Sequence, residues 1–205
     1  MTDSDKTPDS PFGARLSLIL AAFLAGVFVF VVIVLFVTGR TPGGTTASAV
    51  GGPFALVDQS GNKITEKDFL GKPFLVFFGF THCPDVCPTT LFEMSEMMRA
   101  LGKDADKASA LFVSVDPERD TPPVMKDYLS NFDPHVRGAT GDQASIDAMI
   151  KAYRVYAKKV PTGNGEYTMD HTALVYLMDK RGNFVAPFNM KRPPEQAAAD
   201  LRKYF

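Results

Sequence analysis

The stretch Phe74 to Pro88, FLVFFGFTHCPDVCP, constrains this chain more than any other. Its first five residues, Phe74 to Phe78, are apolar without interruption and rich in aromatic side chains. Such a run reads as a strand buried on both faces. Gly79, Phe80 and Thr81 end it. Cys83 and Cys87, the only two cysteines, follow with Pro84, Asp85 and Val86 between them. The residues after Pro88 read as a helix to about Leu101. Thr90 and Glu93 have capping-box spacing, and Leu91, Met94, Met98 and Leu101 fall on one face. Both thiols therefore sit where a central strand hands over to a helix. Unpaired amides and the helix dipole at that point favour thiolate, the form that binds metal and attacks disulfides.

The remaining segments supply a sheet around that strand. Phe54 to Val57 and Lys63 to Thr65 flank a turn-rich stretch and read as a small hairpin. Ala110 to Val115 is a second apolar strand. Asp120 or Thr121 is placed to cap a helix with Pro122 in its first turn, where proline is tolerated. Val136 to Ala139 reads as a short strand, and Asp142 as the cap of a helix to about Ala152. Arg154 to Val160 and Glu166 to Asp170 flank a Gly- and Pro-rich turn, a second hairpin signal. Ala173 to Met178 and Phe184 to Phe188 are further strands, and Pro193 opens a terminal helix. Strand, helix, strand, helix, then a strand pair and a last helix predict an α/β domain on a mixed sheet. A cysteine motif at the first strand-to-helix junction, with a terminal hairpin and helix, fits a thioredoxin-like fold with flanking helices and extra hairpins.

The N-terminal region is of another kind. Leu16 to Val37 carries no charge and is long enough to cross a bilayer as one transmembrane helix. Its apolar run is longer than that of a usual signal peptide, and the Ala47-Ser48-Ala49 triplet lies far beyond it. The expected organisation is a polar tail over 1–15, an uncleaved membrane anchor over 16–37, a flexible linker over 38–52 and the domain over 53–205. Lys6 and Arg15 precede the anchor and only Arg40 closely follows it, a bias towards the N-terminus inside. The net charge of −1 and isoelectric point near 6.3 suggest no nucleic-acid partner.

Two cysteines in one motif are no structural disulfide framework, and a closed zinc site normally takes four ligands. Three intervening residues put the sulfurs one helical turn apart if the loop is helical, so both face one ion. A dithiol redox role stays open beside metal binding. Two soft thiolates prefer Cu(I), and one imidazole completes a three-coordinate site. Three histidines are available. His82 adjoins Cys83 but points away from it, His135 has no evident partner, and His171 ends a hairpin just before a core strand. Met94, Met97 and Met98 have the spacing of packing residues. Asp116, Glu118, Arg119 and Asp120 read as helix caps and mutual ion pairs.

Taken together, FGFTHCPDVCPTTL, FVSVDPERDTPPVMKDYL and YTMDHTALVYLMD resemble three signature stretches of the Sco (SenC/PrrC) family, over about Phe54 to Phe205. The resemblance implies a thioredoxin-like fold, a domain outside the cytoplasm and copper binding, as Cu(I) and in some states Cu(II). It implies Cys83, Cys87 and His171 as the copper ligands, with Asp85 and Asp170 at flanking acidic positions. The implied role is assembly of the binuclear copper centre in cytochrome c oxidase subunit II. A copper donor protein and a thioredoxin-type thiol reductant are the further partners it implies. The implied location is single-pass in the inner membrane, with the domain on the periplasmic or intermembrane-space side. Alternatives are a thiol–disulfide oxidoreductase acting on the oxidase cysteines, and a copper or redox sensor.

Overall fold

The computed structural model describes residues 11–37, 50–163 and 165–205; residues 1–10 of the expected polar tail and 38–49 of the expected linker lie outside them. The chain divides into two units, one through Ala47 and one from Ser48 to Phe205. In the first, helix α1 runs Pro11–Val37. Its stretch Ser17–Phe36 is long and apolar enough, by length and composition, to cross a membrane, and none of it is buried.

The second unit is built on a seven-stranded mixed sheet in the order β2-β1-β5-β4-β3-β8-β9. Its strands are β1 (Ala55–Asp58), β2 (Lys63–Thr65), β3 (Phe74–Gly79), β4 (Ser109–Ser114), β5 (Val136–Thr140), β8 (Val175–Met178) and β9 (Phe184–Phe188). Strand β3 lies between β4, parallel to it, and β8, antiparallel. All six residues of β3 and all six of β4 are buried, which is why both read as unbroken apolar runs. The parallel β3-β4-β5 core is joined by helices α2 (Val86–Leu101) and α3 (Pro122–Leu129). Helix α4 (Gln143–Ala152) and the terminal α5 (Pro194–Arg202) complete the shell, with α5 packed on α2 and α3 on β5. This is the expected thioredoxin-like architecture. Strands β6 (Ala157–Gly163) and β7 (Glu166–His171) pair only with each other, as a separate two-stranded sheet.

Phe69, Phe74, Phe77, Phe78, Phe112, Leu91, Met94, Met97 and Met98 are all at most 1% exposed. Burying each such side chain contributes about 1.5–3 kcal/mol over leaving it in water, so the core needs no disulfide.

Local expectations fared differently. Asp142 caps α4, its side chain accepting from the Ser145 amide at 2.7 Å. The capping box at Thr90 and Glu93 is not formed, because α2 starts four residues earlier, at Val86. Pro88 occupies the third position of that helix. Amides of the first turn have no intrahelical partner, so a proline there breaks nothing. Asp120 is not a cap either: Thr121 holds that position before α3, without a side-chain bond. Short 3-10 helices at Glu66–Phe69 and Gly102–Lys107 were not anticipated.

Candidate metal centre

The early start of α2 puts Cys87 in its first turn and leaves Cys83 in the loop before it. The Cys87 amide donates to Cys83 Sγ at 3.3 Å, so one unpaired first-turn N–H is aimed at a sulfur. His171 arrives from the other side, at the end of β7. Its Nε2 lies 3.6 Å from Cys87 Sγ, across 84 residues of sequence. Among the described residues, Cys83, Cys87 and His171 form the one group of three or more His, Cys, Asp or Glu side chains close enough to share an ion, with ligand atoms within 4.8 Å of one another.

The imidazole is held on several sides. Phe80 and Phe77 meet it edge-on, at centroid distances of 5.7 and 6.4 Å. Nδ1 lies 3.2 Å from the Thr172 carbonyl oxygen. A carbonyl only accepts, so Nδ1 carries the proton and Nε2 keeps its lone pair towards the sulfurs. This is the outer-shell arrangement that orients metal-binding histidines. Burial holds the His171 imidazole below the ordinary histidine range, hence neutral near pH 7.

Cys87 departs from the sequence-based expectation. Burial pushes its thiol well above the usual range, and the opposing hydrogen bond from the Phe80 backbone does not compensate. The side chain is fully buried, and desolvation of a charged sulfur outweighs the helix terminus. Without an ion, Cys87 is a thiol that donates to His171 Nε2. An ion held there would take the place of that proton.

The SCO1/SenC family profile matches residues 42–205, most of the chain. The chain belongs to the SCO1/SenC family. A solved structure of Bradyrhizobium japonicum ScoI with copper bound is 67% identical, covers 77% of this chain and all of its own, and superposes with a TM-score of 0.75. The human mitochondrial SCO1 homolog is 38% identical over 155 residues, 74% of this chain and 52% of its own length. Rhodobacter capsulatus SenC is 35% identical over 163 residues, 80% of this chain and 74% of its own. The chain spans between about two fifths and three fifths of several mitochondrial and yeast relatives.

Within this SCO1/SenC domain, a cleft of about 230 Å³ opens beside the sulfurs, lined among others by Phe80, Asp85, Met169 and Asp170. Asp85 and Asp170 are exposed at its rim. The donor set, two thiols and a neutral imidazole, fits a soft ion such as Cu(I). His82 stays outside the set, bonding through Nδ1 to Thr81 Oγ1 at 3.1 Å. His135 pairs with Asp133 at 2.7 Å.

Met94, Met97 and Met98 are buried in α2. Changing all three to Leu roughly conserves volume and is expected to leave copper stoichiometry unchanged. Loss of copper from a folded triple variant, measured by metal analysis, would count against a packing role.

The acidic stretch after β4 does something the sequence did not reveal. Fully buried Asp120 accepts from Thr81 Oγ1 at 2.6 Å, the Thr81 amide at 3.0 Å and Ser114 Oγ at 2.6 Å. It ties the loop carrying Cys83 to the end of β4. Asp116 forms the expected ion pair with Arg119, at 2.5 Å, and also accepts from Tyr167 Oη at 3.0 Å, reaching the β6–β7 hairpin.

Proposed function

We propose that this chain holds one copper ion between Cys83, Cys87 and His171 and passes it towards the binuclear copper centre in subunit II of cytochrome c oxidase. The observation that carries the reading is the meeting of two sulfurs and a correctly oriented imidazole from segments 84 residues apart. Membership of a family that works in cytochrome c oxidase assembly supports the destination. Copper bound in the B. japonicum relative supports the ion. In this reading Cys83, the more exposed sulfur, meets the incoming or outgoing partner, while buried Cys87 and His171 complete the set. The neutral imidazole presents a lone pair, and both sulfurs bind once deprotonated. A copper donor protein loads the site and a thioredoxin-type reductant keeps the dithiol open.

Helix α1 is the membrane anchor in this reading, with the domain on the periplasmic or intermembrane-space side. Protease added to intact spheroplasts is expected to remove the domain; full protection would reject that orientation.

The free Cys83–Cys87 pair also suits a second reading, reduction of the oxidase cysteines by thiol–disulfide exchange. His171 separates the two, because exchange depends on the sulfurs and their access and needs no third metal ligand. His171→Ala is expected to retain Cys83–Cys87 redox cycling, yet to leave cells with as little oxidase activity as a Cys83→Ala, Cys87→Ala strain. The measurement is oxidase activity and copper content of membranes at matched protein levels and limiting copper. Near-normal oxidase in a stably folded His171→Ala strain would favour the reductase.

A further inference from the structure

The β6–β7 hairpin brings His171 to the sulfurs, yet it shares no hydrogen-bonded strand with the main sheet. A lone two-stranded sheet is marginal in water. Its placement rests on contacts at its base and towards its tip. At its base, the Thr172 amide donates to the Tyr156 carbonyl at 2.9 Å, and the Tyr156 amide to Thr172 Oγ1 at 3.0 Å. Towards its tip the anchor is Tyr167, four residues before His171 and on the same side of the strand.

Tyr167 is gripped from the loop after β4. The Arg119 guanidinium lies 3.8 Å from its ring centroid, and Lys159 Nζ also lies 3.8 Å from it. Arg119 Nη1 donates to the Tyr167 carbonyl at 3.1 Å, and Tyr167 Oη donates to Asp116. Asp116 in turn fixes the Arg119 Nε, and Glu118 pairs with Lys159 at 2.6 Å. The same guanidinium lies 5.9 Å from the Phe80 ring, which packs against His171. Arg119 therefore bears on His171 by two routes, through β7 and through Phe80.

We propose that Arg119 is a positioning residue: it clamps the β6–β7 hairpin to the loop after β4 and so sets how closely His171 reaches Cys83 and Cys87. The proposal rests on the copper reading above. Among the described residues the hydrogen bonds and ion pair of Arg119 go to Asp116 and Tyr167 and not to a ligand atom, so it acts through the hairpin.

The test is a double-variant cycle on the full chain in detergent, with Cu(I) titrated against a chromophoric chelator. Arg119→Met keeps an apolar stem and removes the fork. It is expected to weaken Cu(I) binding roughly tenfold, within the ~10–100-fold range of outer-shell changes, but to change nothing in a His171→Ala background. X-ray absorption of the copper-loaded variant is expected to show the nitrogen scatterer weakened and both sulfurs kept. In the metal-free chain, amides of Tyr167 to His171 are expected to exchange faster, with those of β3 and β4 unchanged. Arg119→Lys, which keeps the charge but not the bidentate geometry, is expected to fall between the two.

An equal loss of affinity in both backgrounds would overturn the proposal, as would unchanged hairpin exchange. If Arg119→Met unfolds, Tyr167→Leu attacks the clamp from the hairpin side, and the same cycle decides. Failure of the copper reading would look different: the unsubstituted chain would bind no copper, or would keep it after loss of Cys83.

Discussion

A chain carrying Cys83→Ala or Cys87→Ala is expected to retain no tightly bound copper. Loss of an outer-shell partner alone costs ~10–100-fold in metal affinity, and each cysteine supplies one of only two soft donors. Cys83 is partly exposed, so its replacement leaves the core intact. Cys87 is fully buried, but Ala is smaller and apolar, so the fold survives that change too. The ion must also displace the Cys87 proton, which burial holds firmly. Copper affinity of the unsubstituted chain is therefore expected to fall as pH falls, by roughly tenfold per unit for that one proton. Oxidation to a Cys83–Cys87 disulfide removes both thiolates and is expected to mimic the substitutions until the bond is reduced. Copper stoichiometry and chelator competition measure all three effects. One retained equivalent at unchanged affinity in either single variant would sink the ligand assignment.

Gly79→Ala is expected to damage both stability and the site. A methyl group on Gly79 would lie 2.7 Å from Cys87 Sγ and 2.8 Å from Phe112 Cε2. Real carbon contacts do not close to those distances, so either the sulfur or the ring must move. Both are fully buried, in a region packed like a crystal. Overpacking of this kind costs about 1–3 kcal/mol. The two clashes are separable. Adding Phe112→Leu gives the methyl room on the β4 side and is expected to recover part of the thermal stability. It leaves the sulfur displaced, so copper affinity is expected to stay low in the double variant. Recovery of full affinity there would show that Gly79 matters only to the core.

The main frame was legible because burial on both faces leaves an unmistakable mark. Phe74 to Phe78 and Ala110 to Val115 are central strands for the reason their composition suggests. Hairpins at residues 54–65 and 154–170 followed from turn chemistry between alternating segments. Other features were opaque because several residues satisfy the same local rule. Thr90 with Glu93 has the spacing of a cap, but Val86, Cys87 and Pro88 were equally able to open the helix and form its first turn. Asp120 beside Pro122 looks like a cap until Thr81, 39 residues away, claims its carboxylate. The expected activation of both thiols neglected depth: helix position is visible in a sequence, and full burial of Cys87 is not. Among three histidines, spacing left the choice open; the family resemblance pointed to His171, and the hairpin explains how it gets there. The grip of Arg119 on Tyr167 left no local signal, since its partners are 48 residues apart.

The 84-residue separation of Cys87 and His171 has a thermodynamic side. An ion bound by both ties together segments that meet only in the folded chain, so the unfolded chain offers it no complete site. It binds the native state and not the denatured one, so it adds roughly 4 kcal/mol at a free concentration a thousand times its dissociation constant. Delivery of the ion surrenders that increment. The loaded and emptied chains should therefore differ in melting temperature and in resistance to proteolysis, and the emptied form is the one a cell's proteases would remove first.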